Sequence, residues 1–242
     1  MEIAPGIRRI GNGLINVYLV EEAGSVTIID AGAPGYWSDL PTELLEMGRS
    51  LDDVRAVVLT HGHTDHIGFA ERIRSDRGVP IRVHELDAAL ARGEVKNTAG
   101  WGKVRIRSML AFLAYGARHG MLRIPPIKEV LTYGDGATLD EPGSPRVIHV
   151  PGHSPGSAAL HMPGLGALFI GDAIATRNVM TGATGPRIAP FTADPTQALA
   201  SLARLEDIEA GLVLPGHGEP WRNGVATAIS SARASVTSES GR

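Results

Sequence analysis

The chain has 242 residues, with 23 Lys and Arg against 26 Asp and Glu and a formal net charge of −3. Its 43% of hydrophobic residues exclude a disordered polyampholyte, and its length suits a single domain over 1–242. No apolar run is long enough to span a bilayer, and the first residues show neither the basic flank nor the apolar core of a signal peptide. We therefore expect a cytoplasmic protein without a membrane partner.

The chain contains no cysteine, which excludes disulfides, thiolate metal ligands, cysteine nucleophiles and iron–sulfur clusters. A tightly bound metal would need His, Asp and Glu as its ligands. Basic residues are scattered apart from a small group formed by Lys103, Arg105 and Arg107, which is less than nucleic acid requires. We expect a small-molecule substrate and no nucleic-acid partner, and a homodimer remains an open alternative to a monomer.

Glycine and proline residues divide the chain into short strands and helices. Runs of β-branched and apolar residues predict strands over 15–20, 26–29, 54–60, 81–84, 145–150, 158–162, 167–170 and 212–214. Helical spacing of apolar residues predicts one helix that ends before Gly48 and another that begins near Ile67. A further helix begins at the N-cap Asp194 and buries Leu199, Leu202 and Leu205. Strands alternating with helices in both halves predict an α/β fold with sheets covered by helices.

The region near 93–127 departs from this alternation. It contains Trp101 and a helical pattern of apolar residues, namely Ile106, Met109, Leu110, Leu113 and Ala117. Two interpretations are open. The helix is either one more packed core helix or a helical insertion that caps an active site.

The stretch 60–68 carries the strongest chemical signal. It places His61, His63, Asp65 and His66 within six residues, directly after a predicted strand and before a predicted helix. Ends of strands are the usual location of sites in α/β folds. Neutral imidazoles together with a carboxylate suit zinc, and also iron or manganese.

One loop cannot supply all the ligands of two metal sites. Three further turns each follow a strand and carry a residue of ligand type beside Gly or Pro, which lets the backbone turn sharply: His153 in 151–156, Asp172 in 170–172 and His217 in 215–218. Four such loops in a chain without cysteine together predict a metal centre.

The order of these residues resembles the metallo-β-lactamase fold superfamily over nearly the whole chain. The resemblance implies a four-layer αβ/βα sandwich with the site at the edge where the two sheets meet. It implies one metal bound by His61, His63 and His153, a second bound by Asp65, His66 and His217, and Asp172 as a bridge between them. Asp30, after another apolar strand, matches a position that orients the metal-binding loop in this family, although a helix or turn cap is the alternative interpretation.

The resemblance implies hydrolysis of an ester, lactone, thioester or amide-type bond by a hydroxide held between two zinc ions, with iron or manganese as other options. Asp65 would orient the hydroxide or pass a proton to the leaving group. Glyoxalase II and acyl-homoserine lactonases are the similar branches. However, 25 residues after His217 leave no room for the glyoxalase II helical domain, and Ala175 stands where lactonases have a catalytic Tyr.

Two other interpretations stay open. Persulfide dioxygenases of the same fold hold a single iron with residues that correspond to His61, His153 and Asp172, so the ligands alone do not separate a hydrolase from an oxygenase. A non-catalytic metal-binding module is the third option, although structural zinc sites are usually rich in thiolates.

We also expect the segments 93–127 and 173–191 to enclose the substrate pocket. The apolar side chains that they would contribute indicate a partly apolar substrate, and these are Trp101, Met109, Phe112, Met180 and Phe191.

Overall fold

The computed structural model describes residues 1–97 and 99–240, with side chains described up to Val236. Seven strands form the first sheet in sequence order. Pairs from β1 to β4 are antiparallel, whereas β4 to β7 run parallel. The strands are β1 (Glu2–Ala4), β2 (Ile7–Gly11), β3 (Asn16–Glu22), β4 (Ser25–Ile29), β5 (Val54–Val58), β6 (Ile81–His84) and β7 (Leu131–Tyr133).

The second sheet has four strands in the order β13-β10-β9-β8, and only its β10–β13 pair is parallel. A two-stranded ribbon, β11–β12, stands apart from both sheets. These strands are β8 (Arg146–His149), β9 (Ala158–Met162), β10 (Ala167–Gly171), β11 (Ala175–Arg177), β12 (Thr184–Arg187) and β13 (Leu212–Pro215).

The helices lie on the outer faces of the two sheets. They are α1 (Leu40–Leu45), α2 (Ala70–Arg77), α3 (Ala88–Ala91), α4 (Ile106–Arg118), α5 (Pro195–Ser201) and α6 (Val225–Ser240). Short 3-10 turns occur at Pro34–Ser38, Leu51–Asp53, Glu85–Asp87, Pro163–Leu165 and Leu202–Leu205. Among the described residues, no helix combines the length and the apolar character that crossing a membrane would take.

Successive residues along each strand point to opposite faces, and this alternation builds four layers. Ile28 packs outward against α1 and α2, whereas Ile29 packs inward against the second sheet. In β10, Phe169 likewise faces the first sheet and Leu168 faces α6. The predicted α/β fold, an αβ/βα sandwich of four layers, is confirmed.

The predicted strands match the observed ones to within about two residues, which is the ordinary uncertainty of element ends. The predicted helix near Ile67 begins three residues later, at Ala70, because the preceding residues turn back to contact Gly32. Asp194 caps α5 by accepting a hydrogen bond from the Gln197 amide, but the helix ends at Ser201. Of the residues predicted on its buried face, Leu202 and Leu205 are buried in the following 3-10 turn and Leu199 is half-buried.

The segment near 93–127 contains a helix, α4, and most of its predicted apolar stripe is exposed. Ile106, Leu110 and Leu113 are exposed, and the helix instead buries Phe112 and Gly116. Periodicity identifies an apolar stripe without specifying what covers it. Here the stripe is turned away from the sheet, so the interpretation as an ordinary core helix does not hold.

Buried polar groups connect the two sheets at one edge. The Asn16 side-chain amide donates to the carbonyls of Pro215 (2.9 Å) and Gly218 (2.8 Å) and accepts from the Gly13 amide. The Tyr18 hydroxyl also donates to the Pro215 carbonyl, at 2.8 Å. These contacts fix the end of β13 and the loop that follows it against the beginning of β3.

We predict that Asn16→Ala costs about 3 kcal/mol of unfolding free energy, because it leaves the Gly218 carbonyl and the Gly13 amide without partners. Tyr18→Phe should cost only about 1 kcal/mol, since the Pro215 carbonyl keeps its bond from Asn16. Urea denaturation of the two variants measures the difference. Equal losses would contradict this account of the sheet connection.

Candidate metal centre

Four loops meet at the edge where the two sheets come together. Strands β4 and β5 are parallel, so Asp30 and the loop from Thr60 to His66 leave the first sheet side by side. Strands β10 and β13 are parallel in the same way, and they bring Asp172 beside His217. The Ala158 amide donates to the Thr60 carbonyl at 2.9 Å, which joins the second sheet to the first.

The seven predicted ligand residues converge on one small volume. His153 Nε2 lies 2.9 Å from His63 Nδ1 and 3.5 Å from Asp172 Oδ2. His217 Nε2 lies 3.1 Å from Asp172 Oδ2 and 3.3 Å from Asp65 Oδ2. Three overlapping groups have ligand atoms within 4.8 Å of one another: His61, His63 and His153; His61, His66 and Asp172; and Asp65, His66 and His217.

Hydrogen bonds at the outer ring nitrogens orient two of the three histidines in the first loop, His61 and His66. His66 Nδ1 donates to Asp30 Oδ2 at 2.8 Å. His61 Nδ1 lies 3.1 Å from Thr60 Oγ1, and the Thr60 hydroxyl gives its own proton to Asp30, so it accepts from His61. With Nδ1 carrying the proton, the neutral form of each ring presents the Nε2 lone pair to the centre.

The histidines of the second sheet follow the same rule. His153 Nδ1 donates to Thr192 Oγ1 at 3.1 Å, because the Thr192 hydroxyl already donates to the Ala189 carbonyl. His217 Nδ1 donates to the Leu14 carbonyl. Both rings therefore also turn Nε2 inward as an acceptor when neutral.

Several inward-facing atoms are buried and lack a hydrogen-bond partner among the described residues. They are His61 Nε2, His66 Nε2 and Asp172 Oδ1. A buried polar atom without a partner carries a large desolvation cost, and a cation bound between these lone pairs would remove it. The residues of the cluster therefore fit a metal ion.

Burial and charge set the protonation of the cluster. Burial, with the neighbouring histidines, lowers the pKa of His153 to about 3 against the opposing effect of Asp172, and it lowers the pKa of His61 well below its usual range. Burial would raise the pKa of Asp65 and Asp172, but the surrounding histidines hold both pKa values well below the usual range. Neutral imidazole and ionised carboxylate are the forms that bind metals.

His66 is the exception within the first loop. Burial lowers its pKa, but the carboxylates of Asp30, Asp172 and Asp65 outweigh burial and raise the pKa to about 9. The raised pKa favours the protonated ring when no metal is bound, and metal binding would displace the Nε2 proton.

The absence of a side chain at Gly216 provides the space that Asp172 and His66 occupy. A Cβ at this position would lie 2.3 Å from Asp172 Oδ1 and 2.5 Å from His66 Cε1. No real Cβ contact is that short, so any side chain here must displace ligand atoms from both sheets.

We predict that Gly216→Ala lowers bound metal by at least about tenfold, as loss of ligand geometry commonly does. Gly211→Ala is the matched control, because a Cβ there meets no atom within 4 Å. Elemental analysis of the two purified variants provides the measurement. Full metal content in Gly216→Ala would show that the cluster tolerates the displacement.

Asp87 is a site residue that the sequence did not single out. It is fully buried, and its Oδ2 accepts from the Gly62 amide (2.8 Å) and the Ser154 hydroxyl (2.6 Å). Its Oδ1 accepts from the Gly156 amide at 2.6 Å. Asp87 thus joins the loop of His61 and His63 to the loop of His153. An acidic residue shortly after a strand is a candidate site residue, and Asp87 follows β6. Glu85 also follows β6 but is exposed, and the sequence alone does not show which of the two is buried at the site.

We predict that Asp87→Asn lowers metal affinity about 10- to 100-fold, the usual loss when an outer contact of a metal site is removed. The substitution replaces one of the two carboxylate oxygens with an NH2 group, which is a donor. The hydrogen-bond donors of the two loops then compete for the single remaining acceptor oxygen. Glu85→Gln, at an exposed neighbouring position, is the control. Competition titration with a chromophoric chelator measures the affinity, and equal values for both variants would contradict this role.

A cavity of about 540 Å³ opens beside the cluster. His63, Thr64 and Asp65 form its polar wall. The remaining wall is mainly apolar and comes largely from the segment near 93–127. Its side chains include Leu90, Phe112, Met121, Ile124 and Phe191.

The predicted pocket residues separate into two groups. Phe112 and Phe191 line the cavity. Trp101 is exposed and meets Phe191 edge-on, whereas Met109 and Met180 pack against the core of the first sheet. His84 and His119, the other histidines near strand or helix ends, lie outside the cavity against aromatic neighbours.

The sequence matches the family model of the metallo-beta-lactamase superfamily over residues 10–217. The chain belongs to this superfamily. It is 28% identical to the probable metallo-hydrolase YflN of Bacillus subtilis, over 90% of this chain and 86% of that protein. It is also 30% identical to the human acyl-coenzyme A thioesterase MBLAC2, over 84% of this chain and 72% of that protein.

Solved structures show the same fold. The metallo-beta-lactamase family protein TTHA1429 of Thermus thermophilus aligns with a TM-score of 0.71 and 26% identity, over 97% of this chain and 80% of that one. TTHA1623 in a di-iron-bound form aligns with a TM-score of 0.64 and 28% identity, over 93% of this chain and 98% of that one. The family and fold that the sequence resembled are thereby confirmed.

Proposed function

We propose that this member of the superfamily is a dinuclear metal-dependent hydrolase that cleaves an acyl bond in a small, partly apolar substrate. One observation carries the proposal. Ligand atoms from four loops converge on one small volume, and hydrogen bonds at Nδ1 orient four of the imidazole rings. Among the described residues, His61 Nε2, His66 Nε2 and Asp172 Oδ1 face this volume without a hydrogen-bond partner.

The overlapping groups support two neighbouring metal positions. One would be held by His61, His63 and His153, and the other by Asp65, His66 and His217. Asp172 would serve both, since its carboxylate lies within 3.5 Å of His153 and 3.1 Å of His217. Zinc is the proposed ion, with iron or manganese as alternatives. Iron is a specific alternative because the similar protein TTHA1623 has been solved in a di-iron-bound form.

Two cations held by these residues would supply a bound water of lowered pKa and Lewis-acid polarisation of an acyl carbonyl. Asp65 belongs both to the ligand cluster and to the cavity wall. Its ionised carboxylate would orient that water or pass a proton to the leaving group. No side-chain nucleophile is required, in keeping with the absence of cysteine.

The cavity favours an apolar acyl group. Its polar wall holds the reacting bond near Asp65, and its apolar wall accommodates a hydrocarbon portion. The similarity to the thioesterase MBLAC2 makes thioesters the first class to assay, followed by lactones and other esters. Lactones rank second because Ala175 has no hydroxyl to assist ring opening.

The test combines metal analysis with turnover. We expect about two metal ions per chain and chelator-sensitive hydrolysis of a medium-chain acyl thioester. Asp65→Asn should lower kcat by at least about 100-fold. Asp207→Asn, which is exposed and remote in sequence, should leave kcat unchanged.

Two results would overturn the proposal. A single iron per chain with oxygen uptake on a persulfide would instead identify a dioxygenase that uses His61, His153 and Asp172. A chelator-resistant metal without turnover on thioesters, lactones or esters would identify a non-catalytic metal-binding protein.

A further inference from the structure

Exposed apolar side chains are concentrated in the segment 93–127. Of the eleven large hydrophobic residues that are exposed among the described residues, seven lie in this segment. Leu122 is 87% exposed and Ile106 is 69% exposed. The seven are Val95, Trp101, Val104, Ile106, Leu110, Leu113 and Leu122. Such a concentration marks an interaction surface rather than the scattered exposure that is normal for single residues.

The same segment concentrates positive charge. It contains six of the chain's 23 Lys and Arg but only one of its 26 Asp and Glu, namely Glu94, which pairs with Arg92. All six cations are exposed: Lys96, Lys103, Arg105, Arg107, Arg118 and Arg123. None of the four arginines forms an ion pair within the part of the chain that the structure describes.

Helix α4 shows how the two properties are arranged. Ile106, Leu110, Leu113 and Ala117 follow spacings of four, three and four residues, so they form one exposed stripe. Arg107 and Arg118 lie about 100° further round the helix, since each residue turns by about that angle. The helix has no acidic residue. An apolar stripe beside a basic face, with Trp nearby, is typical of helices that lie at a lipid–water interface.

We propose that the exposed face of segment 93–127 docks on the surface of an anionic lipid bilayer. The apolar side chains would enter the boundary between headgroups and acyl chains, while the arginines contact lipid phosphates. This proposal departs from the sequence-based expectation of no membrane partner. That expectation rested on the absence of a bilayer-spanning run, and surface docking requires no long apolar helix.

The charge of this face favours an anionic bilayer over a second copy of the chain as its partner. A symmetric dimer through this face would set the six cations of one copy against those of the other, which is unfavourable at close range. An anionic bilayer offers the opposite charge together with an apolar layer. Nucleic acid would match the cations but would leave the seven apolar side chains in water.

The docking face is continuous with the cavity. Val95 and Lys96 line the cavity and also belong to the exposed face. If the proposed hydrolase activity holds, docking would bring the apolar cavity wall next to the acyl chains of the bilayer. The docking proposal itself does not depend on that activity, because lipid binding is measured without turnover.

The test is co-sedimentation of the full chain, as purified, with vesicles of phosphatidylcholine containing about one third phosphatidylglycerol. We expect at least about tenfold tighter binding than to pure phosphatidylcholine vesicles, weakening with added salt. Trp101 fluorescence should shift to shorter wavelength on binding, and Trp101→Phe should remove that shift, since Trp37 and Trp221 lie outside the segment.

Two double variants test separately the basic and the apolar side chains of the docking face. Arg107→Glu with Arg118→Glu, and separately Leu110→Ser with Leu113→Ser, should each weaken vesicle binding by at least about tenfold. Arg55→Glu with Arg146→Glu makes the same charge change at exposed positions outside the segment, and it should leave binding unchanged. None of these residues lines the cavity, so turnover of a soluble short-chain substrate should stay constant.

Three outcomes would overturn the proposal. The first is equal or absent binding to both kinds of vesicle. The second is a homodimer in light scattering that Leu110→Ser with Leu113→Ser converts to a monomer, which would assign the face to a second copy. The third is tight binding of an oligonucleotide without vesicle binding. Failure of the hydrolase assays alone would leave lipid docking intact.

Discussion

The buried carboxylate of Asp30 is the constraint on which the arrangement of the metal cluster depends. It accepts hydrogen bonds from the Thr60 amide at 2.7 Å, from the Thr60 hydroxyl and from His66 Nδ1. Asp30 itself sits at the end of β4 with φ of 63°, a left-handed conformation that Asp tolerates better than most residues. One side chain thereby fixes both ends of the loop that carries His61, His63 and Asp65.

The two-sheet architecture supplies the rest of the geometry. Parallel strands in each sheet release their loops at the same edge, and buried contacts from Asn16, Tyr18 and Asp87 hold loops of different origin against one another. The ligands therefore rest on a rigid, close-packed frame. The packing around Gly216 is so tight that a single methyl group there would displace atoms of two of the loops.

The segment 93–127 is under different constraints. It packs against the core of the first sheet through six side chains, among them Phe112, which also lines the cavity. Most of its remaining surface is apolar or basic and is turned to the outside. The ligands lie on loops at the edge of the sheets, whereas this segment supplies the cavity wall, so substitutions in its exposed face leave the ligand loops in place.

Local patterns were sufficient for much of the fold and for the candidate ligands. The strand 158–162 and the loop of His61 to His66 are specified by neighbours in sequence. The strand is a short, nearly continuous apolar run, and the loop places closely spaced imidazoles directly after a strand. The apolar stripe of α4 left two interpretations open, because periodicity shows that a helix has an apolar face but not which element covers it.

The sequence by itself determined the layered α/β fold, the family and the residue types available to a metal. Only the tertiary structure decided which nitrogen of each histidine faces inward, and that Asp87 joins two loops. The physical reason is distance along the chain. Asp87 binds amides 25 and 69 residues away, and His217 is oriented by a carbonyl 203 residues away, so no local pattern encodes these contacts.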